Sequence, residues 1–514
     1  MISRTVPEVL QDAVTADPGG LAIFEAGRST SYARLQAEAE AGANALTRLG
    51  LQQGDRVVLW APNSTDWIVA AIAVHLCGAI LVPLNTRLKP EEAAGIIQRT
   101  GAKFVAATEH FLNLDNIANL RAIPELAGVN LISLDGAGAG SWRERVASEL
   151  GGGKPTPSRQ PCQSGDVSDF IFTSGTTGLP KGVVTTHAQT TANARAWGEA
   201  VGLTEDDTYL IINPFFHTFG YKAGWLAALW FRTTIIPMAT FNAEETCKLI
   251  ESQRVSILPG PPTLFEDLIK FERRESYDLS SLRAAVTGAA VVPEELVRQT
   301  QSVLGIDQVM TAYGLTESCG VATITERDDP IDRISTTTGR PLDGVEIMIA
   351  NDEGLPVETG ETGEVLLRSA YNFIHYLDDP EATAATYNPN GWMKTGDLGR
   401  LDSLGYLTIT GRKKEMFICG GFNCYPAEIE FQLRQHPDIE EVAIIGIPDA
   451  RMGEVGAAFV TLKPGVAPDT AAILDWARDK IANYKVPRKM QIVDALPRNS
   501  LGKIEKHKLP DLTG

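Results

Sequence analysis

The chain has 514 residues, of which 44% are hydrophobic and 21% are charged, and its formal net charge at pH 7 is −18. This is the composition of a globular protein, and the length suggests roughly three to five structural units of about 100–200 residues each. The acidic charge argues against a nucleic-acid partner, which needs clustered Lys and Arg, but a glycine loop with a few lysines can still hold a small anion.

Helix and strand patterns alternate through the first half of the chain. Apolar residues at helical spacing predict helices, and short apolar runs predict strands. Apolar strands that alternate with helices predict parallel sheets covered by helices. The predicted helices are 32–49, 67–76 and 90–100, and the predicted strands are 56–60, 79–84, 103–107, 209–214, 233–238, 255–260 and 284–289.

Residues 67–84 form the most apolar segment and only just reach the ~18 residues that a membrane-spanning helix needs. The segment contains His75, Gly78 and Pro83, and its last residues have a strand pattern. A buried helix that ends near Gly78 and leads into a buried strand therefore explains it better than a membrane span.

Strands and turns replace this alternation at 339–411, which predicts a small β-rich unit. After Arg412, strands at 441–447, 457–463 and 491–496 and a helix at 469–483 predict a compact α+β module. Its length of about 100 residues is normal for an independent domain. The patterns alone therefore predict a large N-terminal body and a small C-terminal lid.

The cysteines and the N-terminus indicate the cellular compartment. The six cysteines are scattered, with no CxxC pair and no zinc-like spacing, which predicts reduced thiols. The first residues show no basic-then-apolar signal pattern, so we expect a cytoplasmic protein.

The most informative segment is FIFTSGTTGLPKG at 170–182, where an apolar strand runs into hydroxyls, glycines and a lysine. Glycines let backbone N–H groups turn towards an anion, hydroxyls add donors, and a lysine adds charge. The segment therefore predicts a phosphate-binding loop, with a polar surface loop as the alternative. It is not a Walker loop, because that motif has the spacing GxxxxGK[ST]. The candidate residues are Thr173, Ser174, Gly175, Thr176, Thr177, Gly178 and Lys181.

Four further segments supply groups that a nucleotide needs. TAYGLTES at 311–318 combines an aromatic ring that a base can stack on with a carboxylate that can hold Mg²⁺ at phosphates. TGD at 395–397 ends in a carboxylate suited to the hydroxyls of a ribose. GRKKEMFICGGFNCYPAEIE at 411–430 contains an arginine and a Gly-Gly turn, and PRNSLGK at 497–503 ends in a lysine on a glycine turn. Each segment alone has an ordinary structural explanation, but all five in this order indicate one nucleotide site.

These motifs resemble the adenylate-forming superfamily of acyl-CoA synthetases, nonribosomal adenylation domains and luciferases, and the resemblance covers essentially the whole chain. It implies an α/β fold: a large N-terminal domain of two α/β subdomains and a small β-barrel, with a separate small α+β C-terminal lid domain. We therefore expect the N-terminal domain at 1–412, its β-rich subdomain at about 339–411 and the lid at 413–514. Lys414 matches the hinge position of the family.

The resemblance also implies roles at the nucleotide, with ATP and Mg²⁺ as the expected cofactors and coenzyme A as co-substrate. The segment from Thr173 to Lys181 would hold the β- and γ-phosphates. Lys503 would bridge the attacking carboxylate and the α-phosphate, and Thr316 and Glu317 would position phosphate and Mg²⁺, with Glu317 as the metal ligand. The adenine and ribose contacts would come from Gly288, Ala289, Ala290, Tyr313, Gly314, Asp397 and Arg412.

The implied reaction has two steps. A carboxylate attacks the α-phosphate to give acyl-AMP and pyrophosphate, and a lysine and Mg²⁺ offset the repulsion between the two anions. In the second step CoA takes the acyl group, and the Gly420–Gly421 turn replaces Lys503, since glycines leave room for the pantetheine arm. Lys485 and Arg488 are candidates for the CoA phosphates, with a solvated basic patch as the alternative.

The acyl pocket is predicted around PFFHTFGYKAG at 214–224. His217 stands among the catalytic candidates, although gating of the pocket is the stronger interpretation and a structural histidine the alternative. Tyr221, Lys222 and Cys319 are further pocket candidates. A buried lysine is costly unless it is paired, so Lys222 would meet a polar group of the substrate or point to solvent. No Asp stands near His217 to pair with an ammonium group, which disfavours amino-acid activation.

FHTFGYKAG, LPGPPTLF and GGFNCYPAEIE most resemble actinobacterial ligases that act on the propanoate side chain of bicyclic steroid-degradation intermediates, with medium-chain fatty acyl-CoA synthetases close behind. The predicted function is an ATP-dependent carboxylate–CoA ligase for one of these acids. The alternatives are a stand-alone adenylation enzyme that loads a carrier protein, an inactive adenylate-binding protein and a luciferase-type oxygenase. The expected partner is a small carboxylic acid, with no nucleic acid and no membrane span; a homodimer is also expected, since many relatives are dimers.

Overall fold

The computed structural model describes the chain in segments. Internal contacts divide these residues into two compact units. The first unit takes those within 1–288, 292–346 and 368–387, and the second takes those within 347–367 and 388–514. The described segments are 3–112, 114–138, 140–152, 155–173, 180–288, 292–419, 422–449, 451–467, 469–481, 483–499 and 502–510.

One layer of the first unit is a sheet that has nine strands among the described residues. Its six central strands are parallel, and the outermost strands run antiparallel to their neighbours. The alternation of strand and helix therefore confirms the predicted parallel arrangement for the centre of this sheet. In spatial order the strands are Arg340–Pro341, Thr323–Ile324, Gln308–Tyr313, Ala284–Gly288, Ile257–Pro259, Thr208–Ile211, Thr234–Pro237, Leu21–Glu25 and Arg28–Ser31.

A second sheet of the first unit has seven strands in the described part of the chain. Five of these strands run parallel to one another. The strand Lys181–Thr186 is antiparallel to one of the five, Val167–Thr173. The connection between these two is too short for the crossover of about a dozen residues that parallel strands require. In spatial order the strands are His375–Tyr376, Lys181–Thr186, Val167–Thr173, Ile80–Pro83, Arg56–Trp60, Phe104–Ala107 and Asn130–Ser133, and a separate hairpin pairs His110–Phe111 with Leu114–Asp115.

The helices of the first unit begin and end where local chemistry dictates. Pro90–Thr100 starts with a proline in its first turn and ends at Gly101, whose φ of 59° is left-handed. Thr65–Leu76 is capped by the Ser64 side chain and is buried over nearly its whole length. The α-helices are Val6–Ala16, Tyr32–Arg48, Thr65–Leu76, Pro90–Thr100, Asn116–Arg121, Trp142–Leu150, His187–Val201, Thr218–Gly220, Ala227–Phe231, Ala243–Gln253, Pro262–Lys270, Glu294–Leu304, Ile331–Thr336 and Pro380–Thr386, with a π-helix at Tyr221–Leu226 and 3₁₀ turns at Pro124–Leu126, Glu272–Ser276 and Thr316–Ser318.

This burial decides between the two interpretations of the apolar segment at 67–84. It forms most of the helix Thr65–Leu76 and then the buried strand Ile80–Pro83, as predicted. Among the described residues, none of the helices combines the length and the hydropathy that a membrane crossing requires.

The second unit contains a four-stranded sheet and a five-stranded sheet, both counted over the described residues. The four-stranded sheet forms most of the predicted β-rich region, and its strand order is open at both edges. The five-stranded sheet packs its helices over a core that includes Phe417, Ile444 and Phe459. The strands are Val345–Ala350, Gly363–Ser369, Met393–Leu401 and Leu407–Arg412 in the first sheet and Phe422–Cys424, Phe417–Cys419, Gly453–Leu462, Ile439–Asp449 and Lys489–Ile492 in the second; the helices are Pro426–Leu433, Thr470–Lys480 and the 3₁₀ turn Lys506–Lys508.

The two compact units divide the chain differently from the predicted domains, because most of the four-stranded sheet groups with the C-terminal module. The boundary at 412/413 and the hinge at Lys414 stay predictions. The fold class, mixed α/β layers with an α+β module at the C-terminus, is confirmed.

Candidate active site

The candidate residues fall into two groups, one within each unit. In the first unit, the strands Val167–Thr173 and Lys181–Thr186 pair so that Thr173 lies opposite Lys181. This pairing brings the two ends of the predicted phosphate segment together. The remaining candidates of that segment lie outside the described residues: Ser174, Gly175, Thr176, Thr177 and Gly178.

Lys181 and Glu317 both contact one aromatic side chain, Tyr376. The Lys181 Nζ lies 4.7 Å from the centroid of the Tyr376 ring, and the Tyr376 hydroxyl donates to Glu317 Oε1 at 2.7 Å. Burial, and then the Glu317 carboxylate, raise the pKa of Tyr376, so its hydroxyl stays protonated and donates. The predicted phosphate lysine and the predicted metal ligand are therefore brought into one cluster.

The predicted adenine residues follow two neighbouring parallel strands, Ala284–Gly288 and Gln308–Tyr313. The carboxyl ends of parallel strands meet at one edge of a sheet, where α/β proteins bind nucleotides. Gly288 lies so close to the next strand that a Cβ would be 2.5 Å from a backbone carbonyl oxygen. Tyr313 is half-buried at this edge, and Gly314 follows it. Two further adenine candidates lie outside the described residues: Ala289 and Ala290.

A tight turn fixes the position of Glu317. It lies in the 3₁₀ turn Thr316–Ser318, in which Thr316 is buried and the Ser318 hydroxyl accepts the Leu315 N–H at 3.2 Å. The Glu317 carbonyl accepts the Phe373 N–H at 2.7 Å. The backbone on both sides of the carboxylate is thus held by hydrogen bonds.

The surroundings of Glu317 fit a magnesium ion that is bound together with phosphates. Among the described residues, no three His, Cys, Asp or Glu side chains gather into a complete protein metal site. Mg²⁺ usually keeps several waters and is held by one or two carboxylates plus substrate phosphates. Tyr376 occupies Glu317 Oε1, and no hydrogen bond from the described residues reaches Oε2.

His217 precedes the short helix Thr218–Gly220 and caps it. Its Nδ1 accepts the Phe219 N–H at 3.3 Å, so in the neutral ring the proton belongs to Nε2. Burial lowers the pKa of His217 to about 4. The imidazole is therefore neutral near pH 7 and presents an N–H donor.

The other acyl-pocket candidates are buried and paired within the protein. The Tyr221 hydroxyl lies 2.9 Å from His75 Nε2, and its ring stacks on Trp225. Lys222 Nζ lies 3.1 Å from a carboxylate oxygen of Asp169 and 3.4 Å from Cys319 Sγ. Lys222 has no exposed surface, so the solvent-facing alternative does not hold.

In the second unit, Asp397 and Arg412 lie opposite each other on the strands Met393–Leu401 and Leu407–Arg412. The Arg412 Nε lies 2.6 Å from Asp397 Oδ1. The Asp397 side chain is 3% exposed and the Arg412 side chain 46% exposed, so the pair presents its guanidinium edge to solvent. The sequence placed both residues at the ribose, and the structure brings them together.

The charges of Asp397 and Arg412 also act on the ammonium group of Lys503. Its backbone N–H donates to Asn499 Oδ1 at 2.9 Å, and its carbonyl accepts the Asn499 N–H at 2.8 Å. Desolvation of the ammonium and the nearby Arg412 lower the pKa of Lys503, while Glu415 and Asp397 act in the opposite direction. An anion that reached this ammonium would relieve the repulsion from Arg412.

The coenzyme A candidates are less gathered. Lys485 Nζ lies 2.5 Å from Glu428 Oε1, and the exposed Arg488 donates to the Asn483 carbonyl at 3.3 Å. Lys485 thus has a protein carboxylate as its partner. The other two candidates lie outside the described residues: Gly420 and Gly421.

Three residues that contact these candidates were not predicted: Tyr376, Asp169 and Thr185, whose hydroxyl accepts from Lys222 Nζ at 2.8 Å. Tyr376 stands in a short edge strand, and Asp169 and Thr185 stand in apolar strands outside the recognised motifs. Each gains its importance from partners far away in the sequence, so only the fold reveals it.

Comparison with known proteins identifies the family of the chain. The family model of AMP-binding enzymes matches residues 10–377, and that of the AMP-binding enzyme C-terminal domain matches residues 428–503. The chain is similar to a 3-[(3aS,4S,7aS)-7a-methyl-1,5-dioxo-octahydro-1H-inden-4-yl]propanoyl:CoA ligase of Mycobacterium tuberculosis, with 44% identity over 99% of each chain. It is 34% identical to the long-chain-fatty-acid–CoA ligase FadD13 of the same species, over 98% of this chain and 97% of the relative.

A solved structure shows the same fold. ATP-bound MatB from Rhodopseudomonas palustris superposes with a TM-score of 0.88 at 29% identity, over 98% of each chain. The chain belongs to the family of AMP-binding enzymes. Within that family, the relatives are carboxylate–CoA ligases, and the predicted reaction class, AMP-forming acid–thiol ligation, is confirmed over carrier-protein loading.

Proposed function

We propose that this ATP-dependent carboxylate–CoA ligase acts on a bicyclic propanoate, and that the residues gathered in the two clusters carry out its two steps. The observation that supports the site assignment best is the contact of both Lys181 and Glu317 with Tyr376. This shared contact supports the proposal that Lys181 is a phosphate-binding cation and Glu317 a metal-binding carboxylate of one site.

In the first step the substrate carboxylate attacks the α-phosphate of ATP. Thr173 and Lys181 would hold the outer phosphates, and Glu317 Oε2 would hold Mg²⁺ at them. The ion supplies charge neutralisation of the phosphates when bound. Tyr376 keeps Glu317 oriented through its hydrogen bond to Oε1. The attacking carboxylate is already ionised at neutral pH, so the protein supplies no base.

In the second unit, Asp397 and Arg412 would bind the ribose, and Lys503 would contact the carboxylate and the α-phosphate. The buried Asp397 is held by Arg412, so a ribose hydroxyl would meet a firmly placed carboxylate. Lys503 gains most from an anionic partner, because Arg412 and desolvation disfavour its charge in the free enzyme. For the second step, Gly420 and Gly421 would line the pantetheine arm, and Arg488 is the stronger candidate for the CoA phosphates, since Lys485 is paired with Glu428.

The bicyclic acid is favoured over a fatty acid by two observations. The chain is 44% identical to a relative named for a dioxo-octahydroindenyl propanoate and 34% identical to one named for long-chain fatty acids. In addition, His217 is neutral and carries its proton on Nε2. At the predicted acyl pocket this N–H can donate to a ketone oxygen, which a fatty acid lacks.

The reaction class is tested by incubating the purified protein with MgATP, CoA and a panel of carboxylic acids. Mass spectrometry then follows acyl-CoA, acyl-AMP and AMP. We expect one acid to give a CoA thioester together with an equal amount of AMP. Accumulation of acyl-AMP without thioester would instead support transfer to a carrier protein, and absence of both products with every acid would contradict the proposal.

The expected cellular location follows from the scattered cysteines and the N-terminal pattern, and the expected oligomeric state follows from the resemblance. We expect a cytoplasmic protein that forms a homodimer. Cell fractionation and light scattering of the purified protein test these two expectations.

A further inference from the structure

The ion pair between Lys222 and Asp169 is the most deeply buried charge pair among the described residues of the first unit. Both side chains are 0% exposed, and Lys222 Nζ lies 3.1 Å from Asp169 Oδ1. The same ammonium donates to Thr185 Oγ1 at 2.8 Å and to Cys319 Sγ at 3.4 Å. An ammonium group has three donors, and each of them has a protein partner here.

The carboxylate is equally well satisfied. Asp169 Oδ1 accepts the Thr185 hydroxyl at 2.7 Å, and Oδ2 accepts the hydroxyls of Ser168 at 2.6 Å and Thr190 at 3.1 Å. Neither partner has capacity left for a substrate group. Direct contact of Lys222 with the acid is therefore not what this arrangement provides.

Stability alone does not explain a charge pair at this place. Removal of two charges from water is costly, and neutral side chains of similar volume are often as stable as a buried pair. The neighbouring core is apolar and aromatic and includes Trp67, Tyr221 and Trp225. A charge pair in such a core therefore indicates a role in positioning the segments that it joins.

The partners of Lys222 lie on the segments that carry the proposed phosphate site. Asp169 stands in the strand that ends at Thr173, and Thr185 stands in the strand that begins at Lys181. Cys319 directly follows the turn that carries Glu317 and closes it with a left-handed φ of 64°. One ammonium thus connects both ends of the phosphate segment to the turn of the metal-binding carboxylate.

Lys222 itself reaches these segments from the proposed acyl side. It belongs to the π-helix Tyr221–Leu226, which follows His217 after one short helical turn. π-helical turns are rare and often occur at functional sites. Gly220, just before it, packs so tightly that a Cβ would lie 2.3 Å from the carbonyl oxygens of Asn213 and Pro214. The position of Lys222 is therefore fixed by the backbone around it.

We propose that Lys222 is a positioning residue that, through Asp169, Thr185 and Cys319, holds the phosphate-binding strands, the Glu317 turn and the acyl-side helix in register for adenylate formation. This inference rests on the proposed function of Lys181 and Glu317. It predicts that loss of the ammonium disturbs MgATP binding and the first half-reaction, while the second half-reaction is affected much less.

The test uses the double variant Lys222→Met/Asp169→Asn, which removes both charges and leaves none of them buried alone. We expect a melting temperature near that of the wild type, an MgATP dissociation constant about tenfold higher and an adenylation kcat about 10–100-fold lower, since small displacements at a reacting site have effects of this size. Calorimetry measures MgATP binding without any acid. Thioester formation from supplied acyl-AMP should retain most of its rate.

A matched control is the pair Asp207–Arg283, whose atoms lie 2.6 Å apart at the opposite, amino-terminal ends of the parallel strands Thr208–Ile211 and Ala284–Gly288. We expect Asp207→Asn/Arg283→Met to change the melting temperature without changing MgATP affinity.

A folded Lys222→Met/Asp169→Asn variant with wild-type MgATP affinity and adenylation would overturn the positioning role, as would equal losses in both half-reactions. If the double variant does not fold, Cys319→Ala provides the test, because it removes only one hydrogen bond of the Lys222 ammonium. About threefold weaker MgATP binding at an unchanged melting temperature, as expected for the loss of one hydrogen bond, supports the positioning role. Wild-type MgATP affinity in this variant contradicts it. A wild type that binds no MgATP would contradict the proposed function itself, whereas unchanged variants contradict only the positioning role.

Discussion

Lys222 in the first unit and Lys503 in the second both lie in segments with predicted functional residues. Their surroundings, however, are opposite. Lys222 is fully buried, and a carboxylate, a hydroxyl and a thiol take all of its hydrogens. Lys503 is exposed, and its strongest charged neighbour is the guanidinium of Arg412, which together with desolvation lowers its pKa. The sequence gives both of them the same appearance, a lysine close to glycines.

The difference shows how one residue type serves two purposes. A buried charge whose partners are complete has nothing left to offer a ligand, so it can only hold other segments in place. An ammonium near a second cation is stabilised when an anion arrives, and it therefore contributes binding energy where negative charge gathers. We accordingly expect the removal of Lys503 to affect chemistry without affecting folding.

The largest effect should come from Lys503→Ala. We expect adenylation to fall by about 10²-fold or more, because one charge-stabilising group is often worth that much at a transition state. Thioester formation from supplied acyl-AMP should suffer much less, and pyrophosphate release and thioester formation measure the two steps. Lys508→Ala, which removes an exposed lysine paired with Glu505, is the matched control. Equal loss in both steps would contradict a specific role of Lys503 in adenylation and with it the difference from Lys222.

Glu317→Gln should follow with a loss of about 10²-fold in adenylation and a higher Mg²⁺ requirement, because the neutral amide is a weaker ligand for a hard cation. A titration of the rate with Mg²⁺ measures both. Glu326→Gln, at an exposed glutamate that pairs with Arg340, serves as the control. An unchanged Mg²⁺ dependence would show that the ion is held elsewhere.

Asp397→Asn should raise the KM for ATP by about tenfold and leave the KM for CoA unchanged, since a hydrogen bond from a hydroxyl to a charged carboxylate is worth roughly 1.5–3 kcal/mol. Loss of the pair also frees Arg412 near Lys503. Steady-state kinetics with ATP and CoA varied separately provide the measurement. If the variant changed the two KM values alike, the ribose assignment would fail.

Tyr376→Phe removes only the hydroxyl that donates to Glu317. We expect adenylation to fall by about 3–10-fold, the size of one hydrogen bond, while the ring still contacts Lys181. Tyr387→Phe, in which the lost hydroxyl donates to the Phe373 carbonyl, is the matched control in the same cluster. A wild-type rate in Tyr376→Phe would show that Glu317 needs no help with its orientation.

The smallest effect concerns His217 and the pH dependence of stability. Burial lowers its pKa from 6.5 to about 4, so between these values the unfolded chain binds a proton that the folded chain does not. Its contribution to stability is present above pH 6.5 and is lost as the pH falls towards 4. Urea unfolding of the wild type and of His217→Gln over this range should show a shallower decline for the variant. Parallel declines would mean that the imidazole titrates as it does in water.

Local chemistry predicted much of the fold. The helix Pro90–Thr100 matches its predicted bounds because its proline and the following glycine are unambiguous boundary residues. The antiparallel return of Lys181–Thr186 was not predicted, since alternation of helix and strand carries no information on the direction of a strand after a short connection. The site residues were likewise predictable only where a local motif marks them. Lys181, Glu317, Asp397 and Arg412 stand in recognisable motifs, whereas the partners of Lys222 are brought together only by the packing of distant strands.

The most direct test of the account is a competition between acids in one reaction. The wild-type enzyme receives MgATP, limiting CoA and equal concentrations of the bicyclic dioxo-octahydroindenyl propanoate and of medium- and long-chain fatty acids, and mass spectrometry quantifies each thioester. We expect the bicyclic thioester to dominate and AMP to accumulate with it. Preferential formation of a fatty acyl-CoA would contradict the proposed substrate, and turnover without any thioester would contradict CoA as the acceptor.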